Sequence, residues 1–123
     1  HPGGYPERHD SPYFPALQDY ALSLPEATLS LQWNAYVYKI SDKMFAIFSD
    51  TAPLQITLKP RKDNLDAYLY HPDIEIAAYV GRYGWVTITV HDDDTAALAE
   101  SLVHESFTVI SAKKKQKPRR KKR

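Results

Sequence analysis

Apolar residues recur along this chain with two different periods, and the switches between them mark the elements. Leu17, Tyr20, Ala21 and Leu24 fall at i, i+3, i+4 and i+7, which predicts a short amphipathic helix. Pro15 suits its first turn, and Pro25 stops it. Residues 1–13 are rich in Pro, Gly and charge and are read as an irregular arm. From Thr28 to Lys59 the period becomes two, and strands are predicted at 28–32, 37–41, 44–48 and 54–59. In the last of these Leu54, Ile56 and Leu58 alternate with Gln55, Thr57 and Lys59, the pattern of a half-buried antiparallel strand. Residues 41–43 are read as a hairpin turn between the second and third strands.

Pro60 opens a second predicted helix with Leu65, Tyr68 and Leu69 on one face, ended by His71-Pro72. Strands at 74–80 and 85–90 follow, joined by Gly81-Arg82-Tyr83-Gly84, which is read as a tight hairpin tip. A final helix is predicted at about 95–111, with Leu98, Leu102, Val103, Phe107 and Ile110 as its buried stripe. Asp92, Asp93 and Asp94 suit the positive end of that helix, and Lys113, Lys114 and Lys115 its negative end. The order α-β4-α-β2-α predicts an α+β fold: an antiparallel sheet of about six strands with helices packed on it. The expected organisation is an arm over 1–13, a domain over 14–112 and a tail over 113–123.

Charge changes this picture. The tail, KKKQKPRRKKR, holds nine of the sixteen Lys and Arg, while all fifteen Asp and Glu lie before it beside seven Lys and Arg. The net charge of +1 therefore divides into a body of −8 and a tail of +9. Such a tail attracts polyanions, nucleic acid above all, and competes with an acidic body for the same interaction. No stretch approaches the roughly 18 apolar residues of a membrane span, and the N-terminus lacks the apolar region of a signal peptide. With no Cys there is no disulfide framework, thiolate nucleophile or thiolate-ligated zinc, which fits a cytoplasmic protein.

The common catalytic signatures are missing: no GxSxG elbow, no HExxH, no phosphate-binding P-loop and no GxGxxG after a strand. The five His, at 1, 9, 71, 91 and 104, show no ligand spacing. His91 beside the three Asp is read as a solvated turn and helix N-cap, and His104 as a packing or surface residue at the core edge. Neither a metal nor another cofactor is expected, and a binding protein is expected rather than an enzyme.

A series of motifs resembles the MmcQ/YjbR family. Leu24-Pro25-Glu26-Ala27-Thr28, followed by Trp33, resembles its LPxAT opening. Tyr38-Lys39-Ile40 with Lys43-Met44-Phe45-Ala46 resembles its FKV…KMFA hairpin, and Ile56-Thr57-Leu58-Lys59 its SLK strand. The run from Ala78 to Val86 resembles PYxGRxGWV, with Ala78 in place of Pro, and Leu102 to Phe107 resembles the LIxxSY helix. The resemblance spans about residues 17–113. It implies an α+β fold with an antiparallel sheet, compared in that family with the frataxin-like fold and a "double wing" arrangement. Members are commonly labelled DNA-binding, and no catalytic residue carries over. The basic tail lies outside the family core.

The residues that fit nucleic acid are Lys39, Lys59, Arg61, Lys62 and Arg82 for phosphate, with Trp33, Tyr83 and Trp85 for bases or sugars. Lys113, Lys114, Lys115, Lys117, Arg119, Arg120, Lys121, Lys122 and Arg123 supply the tail's charge. Against a body of −8, the tail must carry most of any phosphate affinity. The expected function is weak, largely sequence-independent binding of DNA or RNA through the tail and the 81–84 tip. The alternative is an interaction module for a protein or small ligand.

Overall fold

Pro15 occupies the first turn of a helix, α1 (Phe14–Ser23), where its missing N–H has no partner to lose. The computed structural model describes residues 11–32, 34–51, 53–78 and 80–116, without the side chains of Arg82 and residues 113–116. Most of the arm, Trp33, Tyr79 and residues 117–123 lie outside the described residues. Helix α1 ends at a turn in which the Ala27 N–H donates to the Leu24 carbonyl at 3.1 Å. Pro25 and a left-handed Glu26 (φ 65°) are its central residues, the dihedral pattern of a type II turn.

The chain then forms six strands: β1 (Ala27–Gln32), β2 (Ala35–Ile40), β3 (Lys43–Ser49), β4 (Leu54–Leu58), β5 (Ile74–Ile76) and β6 (Val86–Val90). They lie in one sheet in the order β1-β2-β3-β4-β6-β5, with every neighbouring pair antiparallel. Ser41 and Asp42, both left-handed (φ 50° and 68°), make the two-residue β2–β3 turn. Register places Tyr36, Phe48, Ile56, Ile88 and Ile74 in one row across five strands. All five are buried. Phe14 of α1 stands edge-on to Tyr36 and Phe48, with ring centroids 4.8 and 5.9 Å away. The neighbouring row on the opposite face runs Val37, Ile47, Thr57, Thr87 and Glu75, and grades from apolar to polar.

A long helix, α3 (Asp93–Gln116), packs on the same face as α1. Its start is fixed by a reciprocal cap: Asp92 Oδ1 accepts from the Thr95 N–H at 2.8 Å, and Thr95 Oγ1 accepts from the Asp92 N–H at 3.1 Å. It begins earlier than the periodicity predicts because of this cap. It also runs past position 112 through the first residues of the basic run, where lysines complement the helix dipole.

Facing α3, strand β3 carries a bulge opposite Tyr38 and Lys39. Phe45 is the extra residue, fully buried against Phe107 of α3, with ring centroids 5.3 Å apart. The bulge takes the Phe45 carbonyl out of the ladder, and the Ser106 hydroxyl donates to it at 2.6 Å. The same hydroxyl oxygen accepts from the Lys59 N–H at 2.9 Å, just past the end of β4.

Three expectations change. The strand expected over 74–80 stops at Ile76, and the 81–84 segment is not a tight turn but part of a longer hairpin connection between β5 and β6. Residues 81–83 form a 3-10 turn inside a longer connection, with Ala77 N–H still donating to the Trp85 carbonyl at 3.1 Å. Gly81 lies directly against the Ile76 side chain, where a Cβ would collide with the Cγ2 methyl. The loop therefore folds back along the strand end instead of projecting from it. The helix expected from Pro60 is a 3-10 turn, Lys62–Asn64, followed by a short α2 (Leu65–Leu69). Among the described residues no helix is long and apolar enough to cross a membrane.

Ser106→Ala is expected to cost about 1–3 kcal/mol, because it strips a fully buried site of the partner for both the Phe45 carbonyl and the Lys59 N–H. Thr108→Ala, one turn-face away, should stay within roughly 0.5 kcal/mol, as for ordinary surface changes. Urea unfolding of both variants checks the contrast.

A second expectation concerns pH. His91 Nε2 lies 2.9 Å from Asp73 Oδ2, and Nδ1 lies 3.5 Å from Asp92 Oδ2. His71 Nδ1 stands 4.0 Å from the same Asp73 oxygen. The hydrogen bond to Asp73, then the charges of Asp73 and Asp92, outweigh desolvation and raise the His91 pKa above its ordinary 6.5. Its stabilising contribution is full below 6.5 and is lost as pH rises through the raised value. Asp92 is shifted the other way, held below 3.8 by the Thr95 N–H and then the Thr95 hydroxyl, so its contribution is lost only as pH falls through that lowered value. The wild type should therefore lose stability relative to His91→Gln across the neutral range. Urea midpoints that stay parallel there would show that the ion pairs contribute nothing.

Candidate nucleic-acid interface

Where β4 ends, the chain is wired to α3 residue by residue. Lys59 is held by its N–H on Ser106, and Pro60 is buried. The Arg61 N–H then donates to Glu105 Oε2 at 2.6 Å, and Asn64 Nδ2 donates to the same oxygen at 3.2 Å. Tyr68 donates its hydroxyl to Glu105 Oε1 at 2.7 Å. One carboxylate thus gathers the start of the 3-10 turn, its end and α2. Burial, then the hydrogen bond and charge of Glu105, push the Tyr68 phenol up to about 12.

This wiring sends neighbouring basic residues to different places. Lys59 and Lys62 line a cavity of about 560 Å3 whose walls include Leu65, Val109 of α3 and Tyr83. Gly81 and Gly84 complete it; a Cβ at Gly84 would stand 3.8 Å from Lys59 Cε, so the lysine stem runs alongside that glycine. Gly84 is left-handed (φ 90°), a conformation that favours glycine. Tyr83 is 56% exposed. Arg61 enters a different groove of about 660 Å3, with Tyr20, Glu100, His104 and Glu105. Carboxylates on that side make it a poor seat for phosphate.

The other candidates whose side chains are described do not join the cavity. Lys39 pairs in register with Thr28 and Met44, on the sheet face away from the helices. Trp85 is 9% exposed and belongs to the core, so its ring offers little surface to a base. His104 is exposed rather than at the core edge. The Arg82 side chain, those of Lys113, Lys114 and Lys115, and the whole of Trp33, Lys117, Arg119, Arg120, Lys121, Lys122 and Arg123 lie outside the described residues. Among the described residues no group of three or more His, Asp or Glu side chains is placed to hold a metal ion. A third concavity, about 740 Å3, lies on the uncovered sheet face between Met44, Ile47, Thr57, Thr87, Ile76 and Val80.

Sequence reasoning missed Glu105 and Ser106 as organisers, and Leu65 and Val109 as walls. One signal was present for Ser106: it stands on the apolar stripe, three residues from Val103 and four from Leu102, and a hydroxyl there needs a buried partner. No linear signal marks Glu105, because its three donors lie about 40 residues away.

Replacing Glu105 by Gln should lower the Tyr68 pKa part of the way from about 12 toward 10.0, since burial, the larger cause, remains. The ring-carbon NMR shift of Tyr68 through an alkaline titration reads this directly. An unchanged titration would mean that the phenol does not depend on Glu105.

A family model described as YjbR matches residues 22–109 of the chain. A crystal structure of a Pseudomonas syringae protein, solved by a structural genomics consortium, aligns with a TM-score of 0.58 at 20% identity. The alignment covers 74% of this chain and 92% of that one, and at this identity it speaks for the fold. No curated protein matches the chain.

Proposed function

The chain belongs to the YjbR family, and from that premise we propose that it binds nucleic acid weakly and largely without regard to sequence. The Lys59–Lys62–Tyr83 cavity and the basic run 113–123 act together in this reading. Family and fold alone leave the activity open, so the support has to come from the site.

One observation carries it. Val109, a wall of the cavity, sits on the helix that continues into the basic run. Position 113 is one helical turn beyond 109, about 6 Å along the axis and on the same side. That spacing, from a wall of the cavity to the start of the run, is shorter than the Debye length of about 10 Å at 0.1 M salt, so a polyanion that reaches the cavity also feels the start of the run. Elsewhere the body, at −8, repels phosphate, which confines contact to this end of the molecule. Lysine contacts to phosphate position a strand without reading its bases, hence the weak sequence preference.

Fluorescence anisotropy with a labelled oligonucleotide, repeated across salt concentrations, tests the reading. Truncation after Gln116 keeps α3 whole and removes six basic residues. It should weaken binding and flatten the plot of log K against log salt by about 0.9 for each phosphate that is no longer neutralised. Lys59→Ala with Lys62→Ala should flatten it further, by the equivalent of up to about two phosphates. Identical affinity and slope in all three proteins would defeat the proposal.

A further inference from the structure

We infer that the Lys59–Lys62–Tyr83 cavity takes one unpaired nucleotide, and that the protein therefore prefers single-stranded to double-stranded nucleic acid. This rests on the nucleic-acid reading above and narrows it to a substrate class.

Wall chemistry is the first argument. Apart from its two lysines, the cavity is built from Pro60, Leu65, Val109, the phenol of Tyr83 and two glycines. A duplex presents phosphates, sugars and base edges, with its base faces stacked away inside. Base faces gain from an apolar concavity, and only a single strand has them available. Tyr83, 56% exposed on a turn bounded by Gly81 and Gly84, brings an aromatic ring to the cavity's lining. Lys59 and Lys62, three residues apart on the approach to the 3-10 turn, belong to the same cavity and suit the phosphates on either side of a stacked base.

Size and charge agree. A volume of about 560 Å3 lies within the range of roughly 300–1,000 Å3 typical of small-molecule sites. It matches a single nucleotide rather than a length of helix. Duplex DNA carries one negative charge per about 1.7 Å of axis and bends reluctantly. Asp63 and Asp66, beside Lys62 and Leu65 in the chain and absent from the cavity lining, set negative charge near it that disfavours a stiff duplex. A flexible strand can enter the cavity and turn away from both carboxylates.

The test uses the full chain with three labelled probes of equal length: single-stranded DNA, single-stranded RNA and duplex DNA. Either single strand should bind at least about tenfold tighter than the duplex. Comparison of the DNA and RNA strands shows which backbone is favoured. Tyr83→Leu should weaken single-strand binding roughly five- to a hundredfold, the range of a missing base–aromatic stack, and so narrow the preference over the duplex. Tyr83→Phe should retain wild-type affinity. In NMR, the Leu65 and Val109 methyl signals should shift when a short thymidine oligomer is added.

Duplex binding as tight as single-strand binding would overturn this inference and leave the broader proposal standing. So would a Tyr83→Leu variant that binds single strands like the wild type, or methyl shifts confined to other regions. Absence of binding to all three probes would overturn both.

Discussion

The Ser106 hydroxyl is the hinge on which the geometry turns. It is fully buried, donates to a carbonyl freed by the β3 bulge, and accepts from the first N–H beyond β4. With both bonds made, α3 can lie in only one axial position against the sheet, and β4 leaves the sheet at a defined point. Lys59 is placed by its own N–H in that bond. One turn of helix before and after Ser106, Leu102 and Ile110 insert into the same core. The bulge and the serine depend on each other: an unbulged strand would use the Phe45 carbonyl in its ladder, and an apolar residue at 106 would leave that carbonyl unsatisfied.

Glu105, the neighbouring residue, extends the same control outward. Its carboxylate collects donors from Arg61, Asn64 and Tyr68, and so folds residues 61–68 down onto α3. This explains how an acidic residue comes to stand beside a basic cavity: its charge is used by those donors. It also explains why Arg61 and Lys62, adjacent in the chain, face different grooves. A single helix therefore carries the acidic cap at one end, the two organising residues in its second half, and the start of the basic run at the other.

Much of the fold was legible in the residue pattern. Alternation of Leu54, Ile56 and Leu58 with polar partners reads as β4, and the structure buries those three residues on the helix-covered face. The i, i+3, i+4 spacing after Pro15 reads as α1. Errors came where a local rule met a tertiary contact. Two glycines in four residues suggest a tight tip, yet Gly81 is there to let the chain pass against Ile76. Trp85 and Tyr83 both fit as rings for bases or sugars, yet Trp85 closes the core while Tyr83, two residues earlier, is exposed.

By itself the sequence determined the α+β class, the antiparallel strands, the position of the basic run and the family, because periodicity, turn chemistry and charge counts are local properties. Only the tertiary structure decided which basic residues line one cavity. Lys59 and Lys62 meet Tyr83 across a gap of some twenty residues, while Lys39 goes to the opposite face and Arg61 to the next groove. That selection depends on the axial setting of α3, fixed by one buried hydroxyl and one carboxylate whose partners are distant in the chain. No window of sequence contains both sides of those bonds, so no local pattern could have announced them.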